Sequence, residues 1–156
     1  MSYLMPELLN GLTAEQSGDV LALGKRLLIT SGAELFHLGA DAESLFVVQR
    51  GRVRLTLPLE VRGHDEDVLV EERVPGQTVG WSALIPPYRF TLTATAPLET
   101  EVITLSREVL RAHFATHPAV GQAVLLNLAA VIGQRLQLFQ TMWLREMQRT
   151  VELRCA

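Results

Sequence analysis

The chain is 156 residues long, 48 % hydrophobic and 20 % charged, with a formal net charge of −3. That length and hydrophobicity suit one globular domain with a real core and exclude a disordered chain, and the charge lacks the basic excess a nucleic-acid binder usually carries. Cys155 is the lone cysteine, which excludes an internal disulfide or a cysteine-based metal site. With neither a basic apolar leader nor an 18-residue charge-free apolar run, a soluble cytoplasmic protein is expected, with no membrane partner.

Thr13-Ala-Glu-Gln16 fits a capping box and predicts a short helix over 14–24. From Lys25 to Leu105 the pattern turns to short β-type runs: 26–30, 35–37, 44–50, 52–59, 67–74, 91–96 and 101–105. Gly or Pro punctuates most breaks, and the close, regular spacing predicts a barrel, roll or sandwich. The segment 60–73 is the most charged and reads as a solvated hairpin turning at Gly63. Ser106 is a candidate N-cap for a helix over 109–115. Pro118 suits the first turn of a longer helix over 118–150.

That long helix carries apolar residues with a seven-residue period. Leu125, Ile132 and Phe139 form one column, and Ala129, Leu136 and Trp143 form a second. Val124, Leu128, Val131, Leu138 and Met142 widen the stripe. A helix apolar on two sides must bury two sides. One can pack on the β-roll, and the simplest cover for the other is the same helix of a second copy. Leu125, Ala129, Ile132, Leu136, Phe139 and Trp143 are therefore the expected homodimer contacts.

Gly32-Ala-Glu-Leu-Phe-His-Leu-Gly39 and the following run to Phe46-Val-Val-Gln-Arg-Gly51 place three glycines between short apolar stretches. This pattern resembles the opening signature of the cyclic-nucleotide-binding domain, the sensor module of catabolite activator (Crp/Fnr-like) proteins. The resemblance implies a mainly β protein with flanking α-helices. Its centre would be an antiparallel β-roll or jelly roll (a double-stranded β-helix), followed by a long dimerisation helix. Residues 1–156 would form one domain, with 1–24 as an N-terminal helical segment, 25–105 as the roll and 106–150 as C-terminal helices. The resemblance also implies a second signature, the phosphate-binding cassette, and Pro75-Gly76-Gln-Thr-Val-Gly80-Trp81-Ser82-Ala83-Leu84-Ile85-Pro86-Pro87-Tyr88-Arg89-Phe90-Thr91 lies where it should.

In such a cassette a glycine admits an anion close to the backbone, a short helix offers N–H groups, and an arginine adds a charge-assisted pair. The family glutamate after the glycine accepts from the ribose hydroxyl. Gly80 stands at the family glycine, and Trp81 to Ile85 is the expected short helix. Trp81 occupies the glutamate position, and an indole N–H only donates. Arg89 is a candidate for the phosphate arginine, but an alternative register puts Phe90 there, and a one-residue slip reverses the face. On the long helix the base-reading positions fall near Phe139 and Gln140, with Arg135 as a further anion contact. The expected ligand-site residues are thus Gly80, Trp81, Ser82, Ala83, Tyr88, Arg89, Phe90, Thr91, Arg135, Phe139 and Gln140.

The implied function is a non-enzymatic, ligand-sensing regulatory module. Its effector would be a cyclic nucleotide or another small anion, although Trp81 and Phe139 argue against cyclic AMP bound in the usual way. The alternatives are an interaction module with a self-filled pocket and a protein partner, or the sensor part of a transcription regulator. A helix-turn-helix would need roughly 60–80 further residues. The chain stops at Ala156, so the C-terminal DNA-binding domain is expected to be lacking, and direct nucleic-acid contact with it. A cupin-type metal enzyme is the least supported reading. His37, His64, His113 and His117 do not form the strand pair such a site needs. Ser82 lies outside a Gly-x-Ser-x-Gly elbow, and no carboxylate pair sits on an apolar background.

Overall fold

A computed structural model describes residues 4–156, so the first three positions of the expected 1–24 segment lie outside the described residues. In chain order the elements are a 3-10 turn (Glu7–Leu9), α1 (Ala14–Ala22), β1 (Lys25–Ile29), β2 (Glu34–Phe36), β3 (Ser44–Arg50), β4 (Val53–Val61), β5 (His64–Arg73), β6 (Thr78–Val79), a 3-10 turn (Trp81–Ala83), β7 (Thr93–Thr95), β8 (Thr100–Ser106), α2 (Arg107–Thr116) and α3 (Pro118–Cys155). The strands form two four-stranded antiparallel sheets, ordered β1-β8-β3-β6 and β2-β7-β4-β5. This is an antiparallel β-roll carrying a long C-terminal helix.

The local signals act as their chemistry requires. Gln16 N donates to Thr13 Oγ1 (3.1 Å) and Thr13 N to Gln16 Oε1 (3.0 Å), which closes the capping box on α1. The helix stops at Ala22, two residues short of expectation. Gly24 is already pressed against β8 there, where a Cβ would lie 2.3 Å from Ile103 Cγ2. Ser106 Oγ accepts from Val109 N (3.2 Å), so α2 starts directly after its cap, at Arg107. Gly32, Gly39 and Gly51 all have positive φ (83°, 85° and 83°). At Gly51 the space is also closed, because a Cβ would stand 2.8 Å from Glu99 O.

On the first sheet Phe46, Val48 and Val102 share one face, where Phe46 meets Phe36 of the second sheet, while Leu45, Val47 and Leu105 are buried on the opposite face. Val53, Leu55 and Ala94 of the second sheet are buried too. The β4–β5 register runs Val53↔Arg73 and Leu55↔Glu71, then shifts so that Thr56 faces Leu69. Directly paired residues share a face, so the bulge at Val70 puts Glu71 and Arg73 on the side of two core residues. This corrects the reading of 60–73 as a solvated hairpin throughout. The Gly63 end is solvated, but Arg73 is only 2 % exposed.

Helix α3 buries Val120, Val124, Leu128, Val131 and Arg135, a stripe at spacings of three and four that marks one face. Asn127 Nδ2 donates to the carbonyls of Leu8 and Asn10 (both 2.8 Å), tying the N-terminal turn to it. Beyond Arg135 no residue of α3 is fully buried; Leu138 and Phe139 still pack partly buried on the core, and 140–155 extends roughly 24 Å further. Contrary to the expectation that no such apolar run exists, α3 is by length and composition alone able to cross a membrane, with an 18-residue window of mean hydropathy 1.3. The stripe that packs on the core accounts for part of that apolarity.

Candidate functional site

The cassette turn begins at Gly80, whose left-handed backbone (φ 82°) caps the 3-10 turn Trp81–Ala83. A Cβ there would lie 3.2 Å from Phe90 Cε1 and 3.4 Å from Phe46 Cδ2. Glycine is therefore needed for its conformation and for the close aromatic approach.

The ring of Phe90 fills the space behind that glycine. It stacks on Phe36 at 3.8 Å between centroids with planes 8° apart, and Phe36 stacks in turn on Phe46 at 5.9 Å. All three rings are buried. The void left beside them is lined by Phe36, Leu55, Gly80, Ser82, Phe90 and neighbours and measures about 10 Å³. That is at most one water.

The segment after the turn is pinned to 39–42. Phe90 N donates to Ala40 O (3.0 Å), Gly39 N to Phe90 O (2.8 Å) and Ala42 N to Tyr88 O (2.8 Å). These bonds settle the register. Phe90 faces inward and Arg89 outward, with its side chain 60 % exposed, 3.3 Å from Asp41 and donating to Gly39 O (3.0 Å). Tyr88 also leaves the cavity, its ring lying under the Arg107 guanidinium at 4.1 Å. Arg107 is held there by the carbonyls of Ala42 (2.8 Å) and Ala83 (3.1 Å).

A second space opens where the cassette meets α3. This groove of about 350 Å³ is lined by Trp81, Thr91, Leu92, Ile132, Arg135, Leu136 and Phe139. Trp81, Thr91, Leu92 and Arg135 line both spaces and so partition the filled interior from the open groove.

Arg135 is 9 % exposed at its side chain and donates from Nε to Glu71 Oε2 at 2.7 Å. Glu71 also accepts from Arg73 Nη1 (2.9 Å), and Arg73 pairs with Glu7 and donates to Thr78 O (3.1 Å). Glu7 accepts from Thr78 N (2.9 Å). Two carboxylates and two guanidinium groups thus link the N-terminal turn, β5, β6 and α3 without net charge. Burial pulls the Arg135 guanidinium below its usual range, and Glu71 beside it opposes the shift.

Of the residues expected at the ligand site, Gly80, Trp81, Ser82, Phe90, Thr91, Arg135 and Phe139 line one or other space. Arg89 and Tyr88 lie on the outer surface, and Ala83 and Gln140 line neither space. Phe36, Leu92, Glu71 and Arg73 belong to the site or its support and escaped the sequence reading. An inward Glu-x-Arg pair opposite Val53 and Leu55 becomes visible only once the bulge sets the register. Among the described residues no group of three or more His, Cys, Asp or Glu side chains could hold a metal ion.

Comparison with known proteins places this geometry. Residues 27–117 match the model of the cyclic nucleotide-binding domain. The chain belongs to the cyclic nucleotide-binding domain family. A curated relative is the cyclic AMP receptor protein of Thermus thermophilus, 28 % identical over 130 residues, which span 83 % of this chain and 57 % of that protein. The crystal structure of the Thermus thermophilus catabolite activator protein superposes with a TM-score of 0.73 at 27 % identity, covering 91 % of this chain and 63 % of that one. The N-terminal domain of a transcriptional regulator from Streptomyces coelicolor gives 0.70 at 26 % identity, covering 84 % and 90 %. The match spans little more than half the length of the curated relative. The family is a regulatory, ligand-binding one rather than a family of enzymes. In this chain the segment runs from the left-handed Gly80 through Trp81 and turns Arg89 outward.

Proposed function

We propose that the chain acts as one non-enzymatic, ligand-sensing regulatory module that does not take a cyclic nucleotide in the usual cassette. The carrying observation is the Phe36–Phe90 stack at 3.8 Å, which occupies the space behind Gly80 while Arg89 faces solvent. A phosphate there would have to displace a buried aromatic ring, and Arg135, the one cation on that lining, is already bonded to Glu71. The effector's place moves outward, to the groove beside α3.

The module works as a homodimer through α3. Leu125, Leu136 and Trp143 are 44 %, 58 % and 61 % exposed on the expected seam, and a stretch this apolar needs cover. An effector in the groove would touch Arg135 and Phe139, next to that seam, and would shift the dimer geometry to the extent that it binds one geometry better. Thermal melting with tryptophan fluorescence tests this reading. Cyclic AMP and cyclic GMP should leave the melting temperature unchanged, whereas saturable stabilisation by either would overturn it.

The filled interior also favours a second reading, a protein-interaction module without a small-molecule effector. It predicts that no ligand of the groove alters melting or association.

A further inference from the structure

The groove between the cassette turn and α3 has walls of one chemical kind and a single cation. Trp81, Leu92, Ile132, Leu136 and Phe139 form its apolar surface, and Thr91 and Arg135 supply the polar atoms. We propose that this groove binds an amphipathic monocarboxylate of about a dozen heavy atoms. Its hydrocarbon or aryl body lies against those side chains and its carboxylate on Arg135. This inference rests on reading the chain as a ligand sensor and names the class of effector.

Three observations carry it. First, 350 Å³ equals roughly a dozen water volumes, at the small end of ligand pockets. A ribose and a purine would bring many more polar atoms than Thr91 and Arg135 can satisfy, and unmet polar groups lose their hydration for nothing.

Second, Arg135 is a nine-tenths buried cation with a spare edge. Among the described residues its one hydrogen bond is from Nε to Glu71. A guanidinium carries five donors, so the Nη edge is free to grip a carboxylate, in a bidentate fork where geometry permits. Glu71 is shared with Arg73, which leaves Arg135 less than one full counter-charge. The network of Glu7, Glu71, Arg73 and Arg135 is neutral, so one added anionic charge is tolerable and a phosphate dianion less so.

Third, beyond the Glu71 already shared with Arg73, α3 itself brings no anion to this place. Between Glu108 and Glu146 there is no Asp or Glu. A second copy packed in parallel on the same stretch of α3 would therefore cover the groove without neutralising Arg135. A carboxylate that shares Arg135 with Glu71 also loosens the tie between α3 and β5, which gives the bound state a route to the helix.

The probes are sodium decanoate and its uncharged counterpart decanol, both below their aggregation limits, titrated calorimetrically into the full chain. Decanoate is expected to bind saturably, one per chain, and at least about tenfold more tightly than decanol, the worth of a charge-assisted bond. Arg135→Gln should erase that preference, so that decanoate and decanol bind alike. Leu136 is more than half exposed, so Leu136→Glu should fold normally and abolish decanoate binding through its apolar wall. Equal affinity for decanoate and decanol would overturn the proposal, as would no saturable binding of decanoate or unchanged affinity in Leu136→Glu. Cyclic AMP in the same calorimeter separates the two levels. Its saturable binding would sink the reading of the cassette, whereas silence from decanoate alone would sink only this assignment.

Discussion

Arg135 Nε donates to Glu71 Oε2 at 2.7 Å across 64 residues of sequence, joining the last buried position of α3 to the inward edge of β5. From that point outward the helix has no buried residue. The pair is thus the last fully buried tie of α3 to the roll, with only the partly buried Leu138 and Phe139 packing on the core beyond it.

Removing the shared carboxylate should be severe. Glu71→Ala leaves two buried guanidinium groups with Glu7 as their one remaining partner in the network. Breaking a buried pair costs about 3 kcal/mol or more. Urea unfolding should show that loss, and the far end of α3 should become more accessible to protease.

Phe90→Ala should destabilise by about 3–5 kcal/mol, because it empties a ring-sized space and removes the partner of Phe36. Arg89→Ala, one residue away, should change stability by less than about 0.5 kcal/mol, since it deletes an exposed pair with Asp41. Chemical denaturation of the two variants side by side checks the register directly.

That contrast shows what the sequence could and could not convey. The Thr13–Gln16 box, the Ser106 cap and Pro118 are local signals, and each sits where its hydrogen-bonding chemistry demands. The glycine pattern around Gly32, Gly39 and Gly51 conveyed the roll because turns need positive φ. The choice between Arg89 and Phe90 was not legible. It is made by bonds from Gly39, Ala40 and Ala42, fifty residues upstream in one case. Strand β6 was missed because two residues carry no periodicity, and Glu71 because the bulge at Val70 reverses the expected face.

Glycine substitutions separate conformation from crowding. Gly63→Ala should lose about 1 kcal/mol, since its φ is 79° and its surroundings are open. Gly51→Ala should lose clearly more, because a Cβ would also press on Glu99 O at 2.8 Å. Midpoints of thermal unfolding for the two variants give the comparison.

Association should depend on the projecting half of α3. Trp143→Glu places a charge at the C-terminal end of the expected seam, on a residue 61 % exposed in the single chain. Sedimentation velocity should show dimer for the unmodified protein and monomer for the variant, with unfolding of the β-roll unaltered.

The most direct test of the account is a calorimetric titration of cyclic AMP into the unmodified protein and into Arg89→Ala. The filled cassette predicts no saturable heat in either. Saturable binding to the unmodified protein that disappears in Arg89→Ala would contradict it, because Arg89 would then have to reach a phosphate in the space that Phe90 occupies.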